Sequence, residues 1–167
     1  MLSKNYKYWI SQDDHRRCIL CEEMDGKIYR ITEVPNPKPP LHPFCRCVIK
    51  IMEALKAGTA TDNKLGGADF WLKYLGYLPE YYISDFGAAL EGWKPGKWPS
   101  NFVPDRMITR GAYANLNVHL PMSPGRIWYE ADINYKTGRR NSSRILWSND
   151  GLIFITYDHY KTFYEII

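Results

Sequence analysis

Alternate positions in the stretch RIWYEADINY, residues 126–135, carry apolar side chains. These positions are Ile127, Tyr129, Ala131, Ile133 and Tyr135. Glu130 belongs to the other set and falls on the opposite face. A period of two is typical of a β-strand with one buried face. Strand-sized runs follow the turns KTGRRNSS and SNDG, at residues 143–148, 152–157 and 160–166. The C-terminal part of the chain therefore predicts an antiparallel meander.

Two helices are predicted ahead of this meander. The stretch ADFWLKYLGY, residues 68–77, places apolar residues at partly helical spacing. In LPEYYISDFGAALEGW, residues 78–93, Ser84 suits an N-cap and Gly92 suits a stop. Residues 94–106 are rich in Pro, Gly and Trp and are expected to be irregular. Helices followed by an antiparallel sheet predict an α+β fold, with the helices packed on the C-terminal sheet.

The N-terminal part of the chain has a different character. Five of the 11 prolines lie between Pro35 and Pro43, where no helix or central strand can persist. The stretch VIKIMEALKAG, residues 48–58, is expected to form a short helix, and the small polar residues after it are typical of a linker. The chain is therefore predicted to have three parts, an N-terminal module, a linker and a larger domain, at residues 1–52, 53–67 and 68–167.

The composition excludes several classes of protein. With 45% hydrophobic and 24% charged residues, the 167-residue chain resembles a globular protein rather than a disordered or fibrous one. No apolar run approaches the roughly 20 residues that cross a membrane, so no membrane partner is expected. The start, MLSKNYKYWI, lacks the apolar core of a secretory signal. A formal net charge of +4 allows an anionic partner without proving one.

The four cysteines form two close pairs in the N-terminal module. Cys18 and Cys21 are separated by two residues, and Cys45 and Cys47 by one, with His42 just ahead. Thiolates at this spacing can turn back toward one ion, and four of them satisfy tetrahedral Zn²⁺. We expect a structural zinc on Cys18, Cys21, Cys45 and Cys47, with His42 replacing one cysteine as the close alternative. The metal would supply folding energy that so small a module lacks. Two disulfides or free buried thiols are the competing interpretation.

Residues 7–50 also resemble part of a known protein family. The stretches KYWISQDDHRRCILCEEMDGKIYRI and PPLHPFCRCVIK are similar to the C-terminal end of phage minor head proteins of the Mu F-like type. The resemblance implies that this segment comes from a larger phage head-protein context. It implies no chemistry.

Side chains of the predicted sheet and its turns form a candidate catalytic set: Glu130, one or both of the adjacent turn residues Arg139 and Arg140, Arg144 and His159. Strand ends and turns lie side by side in a meander, so these groups can converge. RNA carries its own nucleophile, the 2′-hydroxyl, and its cleavage needs only a base, an acid and cations that meet the phosphorane. The alternative is structural: an ion pair between Glu130 and Arg144, a loop cap at His159 and a solvated turn at the arginines.

The same part of the chain, residues 68–167, resembles the barnase-type bacterial ribonucleases of the microbial N1/T1 family. The similarity is carried by WYEADINY, by GRRNSSR and by the ending DHYKTF. The resemblance implies that Glu130 is the general base and His159 the general acid. It also implies that Arg140 and Arg144 bind the phosphate and that Tyr160 helps to form the base pocket.

Two positions depart from that family's pattern. The family's active-site lysine is replaced by Asp85, so either another cation substitutes for it, from among Lys94, Lys97 and Arg106, or activity is lower. The family's guanine-reading S-N-R-E stretch is replaced by Ala-Asn-Leu-Asn at residues 114–117. Asn115 and Asn117 are the candidate substrate-binding residues of this loop, and strict guanine specificity is not expected.

The leading hypothesis is a metal-independent endoribonuclease that forms a 2′,3′-cyclic phosphate. Its fusion to a phage-like segment suggests a toxin or virion-associated cargo that cleaves RNA in a bacterial cytoplasm. By analogy with the family, an acidic inhibitor protein in the role of barstar would oppose it. The alternative is a weakly active or inactive phage structural or adaptor protein that uses the fold to bind RNA or protein. A nuclease centred on zinc is a third class, which EDTA would inactivate.

Overall fold

The computed structural model describes residues 1–167 and contains one nine-stranded sheet with three short helices. The strands are β1 Leu2–Ile10, β2 Ile28–Arg30, β3 Val48–Leu55, β4 Tyr82–Ser84, β5 Met107–Tyr113, β6 Trp128–Asp132, β7 Arg144–Ser148, β8 Ile153–Thr156 and β9 Tyr164–Ile166. The helices are α1 Ile19–Met24, α2 Ala68–Tyr74 and α3 Asp85–Leu90, and single 3-10 turns lie at Lys64–Gly66 and Pro99–Asn101. None of these helices has the length and apolar character that crossing a membrane requires.

The strand order across the sheet is β2-β1-β3-β9-β8-β7-β6-β5-β4. The predicted meander is confirmed, because β6 to β9 pair antiparallel in chain order. The predicted α2 is confirmed as well, and its Leu72 is buried in one apolar cluster with Ala131 and Ile133. The alternation along residues 126–135 thus marks the sheet face that α2 covers. The mixed α+β class holds.

The second predicted helix is shorter than expected. Ser84 is its N-cap, as predicted, because the Ser84 hydroxyl accepts a hydrogen bond from the backbone N–H of Gly87 at 2.9 Å. The residues just before the cap form β4 instead of helix. They pair in parallel with β5, a strand that the sequence pattern did not indicate. Gly92, the predicted stop, follows the helix with a φ of +90°.

The prediction of a short helix at residues 48–58 is wrong, because most of this stretch is strand β3. Its two neighbours determine its conformation: β3 pairs antiparallel with β1 and parallel with β9. Met52 and Ala54 alternate with exposed residues and are buried. The N-terminal segment and the meander therefore share one continuous sheet. Whether the predicted parts fold independently stays a prediction.

The predicted linker contains the end of β3 and an ordered turn. The buried carboxylate of Asp69 accepts hydrogen bonds from the backbone N–H groups of Gly58 and Ala60, and from the hydroxyl of Thr61. These three bonds hold the turn against the start of α2. Residues 56–62 therefore lie against the helix in a defined conformation.

Candidate active site

A cleft of about 480 Å³ lies on the sheet face beside β5 and β6. Asp85 at the start of α3 lines it, together with residues of β5 and the loop that follows. The strand β6 and the turn after β8 complete the wall. The lining includes five of the residues that the sequence predicted for catalysis or substrate binding: Asn115, Asn117, Glu130, His159 and Tyr160.

Glu130 is a nearly buried carboxylate in the middle of β6. The hydroxyl of Tyr160 donates a 2.6 Å hydrogen bond to its Oε2 atom. Burial, together with this bond, raises the pKa of Tyr160 far above its usual value, so the phenol stays protonated and remains a donor. The Tyr160 ring also stacks on Tyr113 with ring centroids 5.7 Å apart. One oxygen of Glu130 is therefore oriented by a fixed partner at the cleft.

A tight turn after β8 brings His159 to the cleft. His159 and Tyr160 both have positive φ angles, +59° and +69°, which reverse the chain sharply. The Asp158 carboxylate accepts a hydrogen bond from the Thr156 hydroxyl and others from the backbone N–H groups of residues 161 and 162. The backbone N–H of His159 donates to the carbonyl of Ser142. The turn is therefore held from two sides while the imidazole stays exposed.

The two predicted phosphate-binding arginines do not line the cleft. Both donate instead to Asp132, a fully buried carboxylate two residues after Glu130 on the same strand face. Arg140 binds it through Nε and Nη2, and the Nε of Arg144 lies 3.1 Å from Oδ1. Arg144 is also the cross-strand partner of Asp132 in β7. The guanidiniums therefore lie one step along the sheet face from Glu130 and are anchored by a common carboxylate.

Of the two asparagines predicted to bind substrate, one uses its side chain for hydrogen bonds within its own loop. The side-chain amide of Asn115 donates to the carbonyl of Leu120 at 3.0 Å and accepts from its N–H at 3.1 Å. Asn115 is buried and has a φ of +46°. Asn117 is exposed in the cleft wall. Asn115 therefore shapes the loop, and Asn117 is the asparagine that remains free for a ligand.

The sequence pattern missed a cation in the cleft wall. Thr109 pairs with Ala131 and Gly111 with Glu130, so Arg110 is the extra residue of a β-bulge. The bulge leaves the Arg110 side chain exposed, and it lines the cleft together with Asp85. The candidates proposed from sequence, Lys94, Lys97 and Arg106, are not among the lining residues. A glycine inside a strand can signal such a bulge, but the sequence pattern did not indicate β5, so Gly111 gave no usable signal for Arg110.

The N-terminal module brings all five predicted metal ligands together. The ligand atoms of Cys18, Cys21 and His42 lie within 4.8 Å of one another, and so do those of Cys21, Cys45 and Cys47. The Nε2 atom of His42 is 3.3 Å from the sulfur of Cys18 and 3.4 Å from that of Cys21. The sulfurs of Cys21 and Cys45 are 3.8 Å apart. These separations match ligands on one tetrahedral ion with Zn–S bonds of about 2.3 Å.

Two further observations bear on the metal. The four cysteine thiols are free, so the module contains no disulfide. The indole N–H of Trp9 is buried in the same cluster as Cys47 and has no acceptor. A metal-bound thiolate is a better acceptor than a thiol, because it carries negative charge. The donor set and its surroundings therefore fit a metal ion.

Comparison with known proteins points to one family. A family model described as ribonuclease matches residues 78–167. The chain is 40% identical over 102 residues to a ribonuclease of Heyndrickxia coagulans, which covers 60% of this chain and 93% of that protein. It is equally similar to ribonucleases of Bacillus intermedius and Bacillus pumilus, of which the matched segment covers 62%. The matched residues include the whole cleft.

Proposed function

This chain belongs to the ribonuclease family and is an endoribonuclease, and we propose that it cleaves RNA without a metal, by transesterification to a 2′,3′-cyclic phosphate. One observation carries the proposal. A carboxylate and an imidazole from separate elements, Glu130 and His159, line the same cleft. They are the two proton-transfer groups that this reaction requires.

In the proposed reaction, the substrate's 2′-oxygen attacks the phosphorus atom. The Glu130 carboxylate accepts the proton of the 2′-hydroxyl as the new P–O bond forms. The protonated imidazole of His159 donates its proton to the departing 5′-oxygen as the old P–O bond breaks. The products are a 2′,3′-cyclic phosphate end and a free 5′-hydroxyl. The Tyr160 hydroxyl orients the base, because it holds one oxygen of Glu130 in a 2.6 Å hydrogen bond.

The phosphorane needs positive charge, and we assign it to three arginines. Arg140 and Arg144 are anchored on Asp132, next to Glu130 along the same face. Arg110 lines the cleft and takes part in none of the salt bridges of the chain. Guanidiniums suit this role, because their planar fork matches two phosphate oxygens. Arg110 thus offers a cation where Asp85 would otherwise repel the phosphate.

The test is RNA cleavage in excess EDTA, with analysis of the product ends. Wild type should release cyclic-phosphate ends, whereas Glu130→Ala and His159→Ala should each lose about 10²- to 10⁴-fold in kcat. Glu91→Ala and His15→Ala are matched controls on exposed residues outside the cleft and should cleave like wild type. Equal inactivity of wild type and both cleft variants would favour the adaptor hypothesis. Loss of cleavage in EDTA would instead favour a zinc-centred nuclease.

A second proposal concerns the N-terminal module, which we propose binds one structural Zn²⁺. Four ligands would come from Cys18, Cys21, Cys45, Cys47 and His42, and the short distances from Nε2 to two sulfurs favour a set that includes the histidine. When bound, the ion would cross-link residues 18–21 to residues 42–47. Metal analysis of purified protein should return about one Zn per chain. Wild-type protein without zinc and with oxidised thiols would contradict the proposal.

His42→Ala should lower the zinc affinity, and an unchanged affinity would favour the all-cysteine set.

The biological setting is also a proposal. The phage head-protein resemblance of residues 7–50 supports a toxin or virion-associated cargo, and family analogy supports an acidic inhibitor that plugs the cleft. Expression in a bacterial host separates the toxin role from an inert structural role. Wild type should arrest growth, whereas Glu130→Ala should not. Equal growth of both strains at equal protein levels would count against a toxin.

A further inference from the structure

The loop between β5 and β6 connects the cleft to the N-terminal segment. Its first part, residues 114–117, lines the cleft. Its next residues, His119 and Leu120, contact the segment that contains β1, β2 and β3. The backbone N–H of Ile28 in β2 donates to the carbonyl of His119 at 2.8 Å. A Cβ added to Gly26 would lie 3.5 Å from Nδ1 of His119, so the imidazole lies directly against the turn before β2.

Leu120 is the anchor of this contact. Only 1% of it is exposed, and it belongs to one apolar cluster with Tyr6, Ile28 and Met52. These three residues come from β1, β2 and β3 respectively. The N-terminal segment therefore contributes three members to the cluster in which Leu120 is buried, and removal of part of that cluster should weaken the anchor.

The anchor determines the shape of the cleft wall. The Asn115 side chain forms two hydrogen bonds with the backbone of Leu120 and a third with the sulfur of Met122. Val118, between them, has a φ of +51°, a left-handed conformation that is unfavourable for a β-branched residue. Such a conformation persists only where the surroundings hold it. The contacts at His119 and Leu120 hold this loop from the side of the N-terminal segment, and Arg126 and Trp128 hold it from the other side through the carbonyl of Pro121.

We propose that the N-terminal segment positions the cleft loop for RNA, with Ile28 as a positioning residue that acts through Leu120 and Asn115. This inference rests on the proposed function, because it assumes that RNA occupies the cleft. It extends that function, since it gives the N-terminal segment a part in substrate affinity. The chemical groups at Glu130 and His159 lie on other elements, so loosening the loop should affect binding more than the chemical step.

The test compares two variants of the full-length protein. Ile28→Ala shortens a side chain of the apolar cluster that buries Leu120, whereas Ile49→Ala makes the same change on β3, where the side chain packs against the cysteine cluster. For Ile28→Ala we expect KM for an RNA oligonucleotide to rise at least about fivefold, with kcat within about twofold of wild type. Hydrogen exchange at the Leu120 amide, which bonds to Asn115, should accelerate. Ile49→Ala should change neither quantity.

Each other outcome has a defined meaning. Unchanged KM and unchanged exchange in Ile28→Ala would overturn the positioning role, and so would an equal rise of KM in Ile49→Ala. A parallel fall of kcat and melting temperature, without a rise of KM, would indicate a general structural role and overturn it too. If Ile28→Ala does not fold, Ile28→Val makes a smaller change to the same contact. If wild type does not cleave RNA, the proposed function fails, while hydrogen exchange still tests the coupling.

Discussion

Asp132 offers the sharpest test of how the site is built, through the substitution Asp132→Asn. The carboxylate is fully buried and binds Arg140 and Arg144 together. The side chain of Arg144 is itself only 6% exposed. An amide keeps the shape of the carboxylate but removes its negative charge. The variant would therefore leave a buried guanidinium without its counter-ion.

The size of the effect follows from burial. Removing one partner of a buried ion pair costs about 3–5 kcal/mol of the free energy of unfolding, because the remaining charge is desolvated and uncompensated. For a chain of this length, each kcal/mol lowers the melting temperature by roughly 2–4 °C. We therefore expect Asp132→Asn to melt roughly 10 °C below wild type. Cleavage of RNA should fall as well, since both guanidiniums lose their anchor beside Glu130.

The assay is thermal unfolding followed by circular dichroism at pH 7. Asp62→Asn is the matched control, because Asp62 pairs with Lys136 at 3.6 Å on the surface, with side chains 52% and 78% exposed. Surface pairs contribute little, so this variant should melt within about 2 °C of wild type. Phosphate should stabilise Asp132→Asn more than wild type, because the two guanidiniums are no longer neutralised by a carboxylate and attract an anion more strongly. A melting temperature of Asp132→Asn close to that of the control would refute the reasoning.

Three further predictions concern the loop and α3. Burial, and after it the charge of Lys27, lower the pKa of His119. As the pH falls, His119 therefore becomes protonated in the unfolded chain before it does in the folded one, and the free energy of unfolding should decrease below about pH 6.5. His119→Gln should flatten this part of a plot of stability against pH. An unchanged slope in the variant would contradict the prediction. Asn115→Ala should raise KM for RNA and leave kcat nearly unchanged, because it removes both bonds to Leu120. Steady-state kinetics measures the two constants, and a fall of kcat with unchanged KM would contradict this prediction. Ser84→Ala removes the N-cap of α3 and should cost about 1 kcal/mol, so a calorimetric melting temperature equal to that of wild type would count against the cap.

Local pattern was sufficient for much of this fold. The alternation along residues 126–135 identified β6, and the turns that follow separated β7, β8 and β9. The N-cap at Ser84 was also readable, because a cap is a contact between residues three positions apart. Each of these features depends on residues that are close in the chain. A sequence alone can therefore determine them.

Other elements were not readable in the same way. The stretch Val48–Leu55 contains residues that also favour helix, and it is a strand because β1 and β9 lie on either side of it. Arg110 reaches the cleft because of a bulge opposite Ala131 and Glu130, a feature of strand pairing rather than of composition. The two arginines that resemblance assigned to phosphate turned out to share Asp132, which was not singled out as a site residue.

The sequence by itself determined the chemical groups of this protein: a carboxylate, an imidazole, arginines and a compact set of thiols, with the strands and turns that carry the sheet. Only the tertiary structure decided how they are joined. In the tertiary structure β3 pairs with β9, Leu120 is buried in one cluster with residues of the N-terminal segment, and Arg110 and Asp85 both line the cleft. The physical reason is the separation along the chain of the residues that interact. Periodicity, caps and turns arise from neighbours in the chain, whereas strand pairing and burial arise from residues far apart in sequence, whose contact only the folded chain creates.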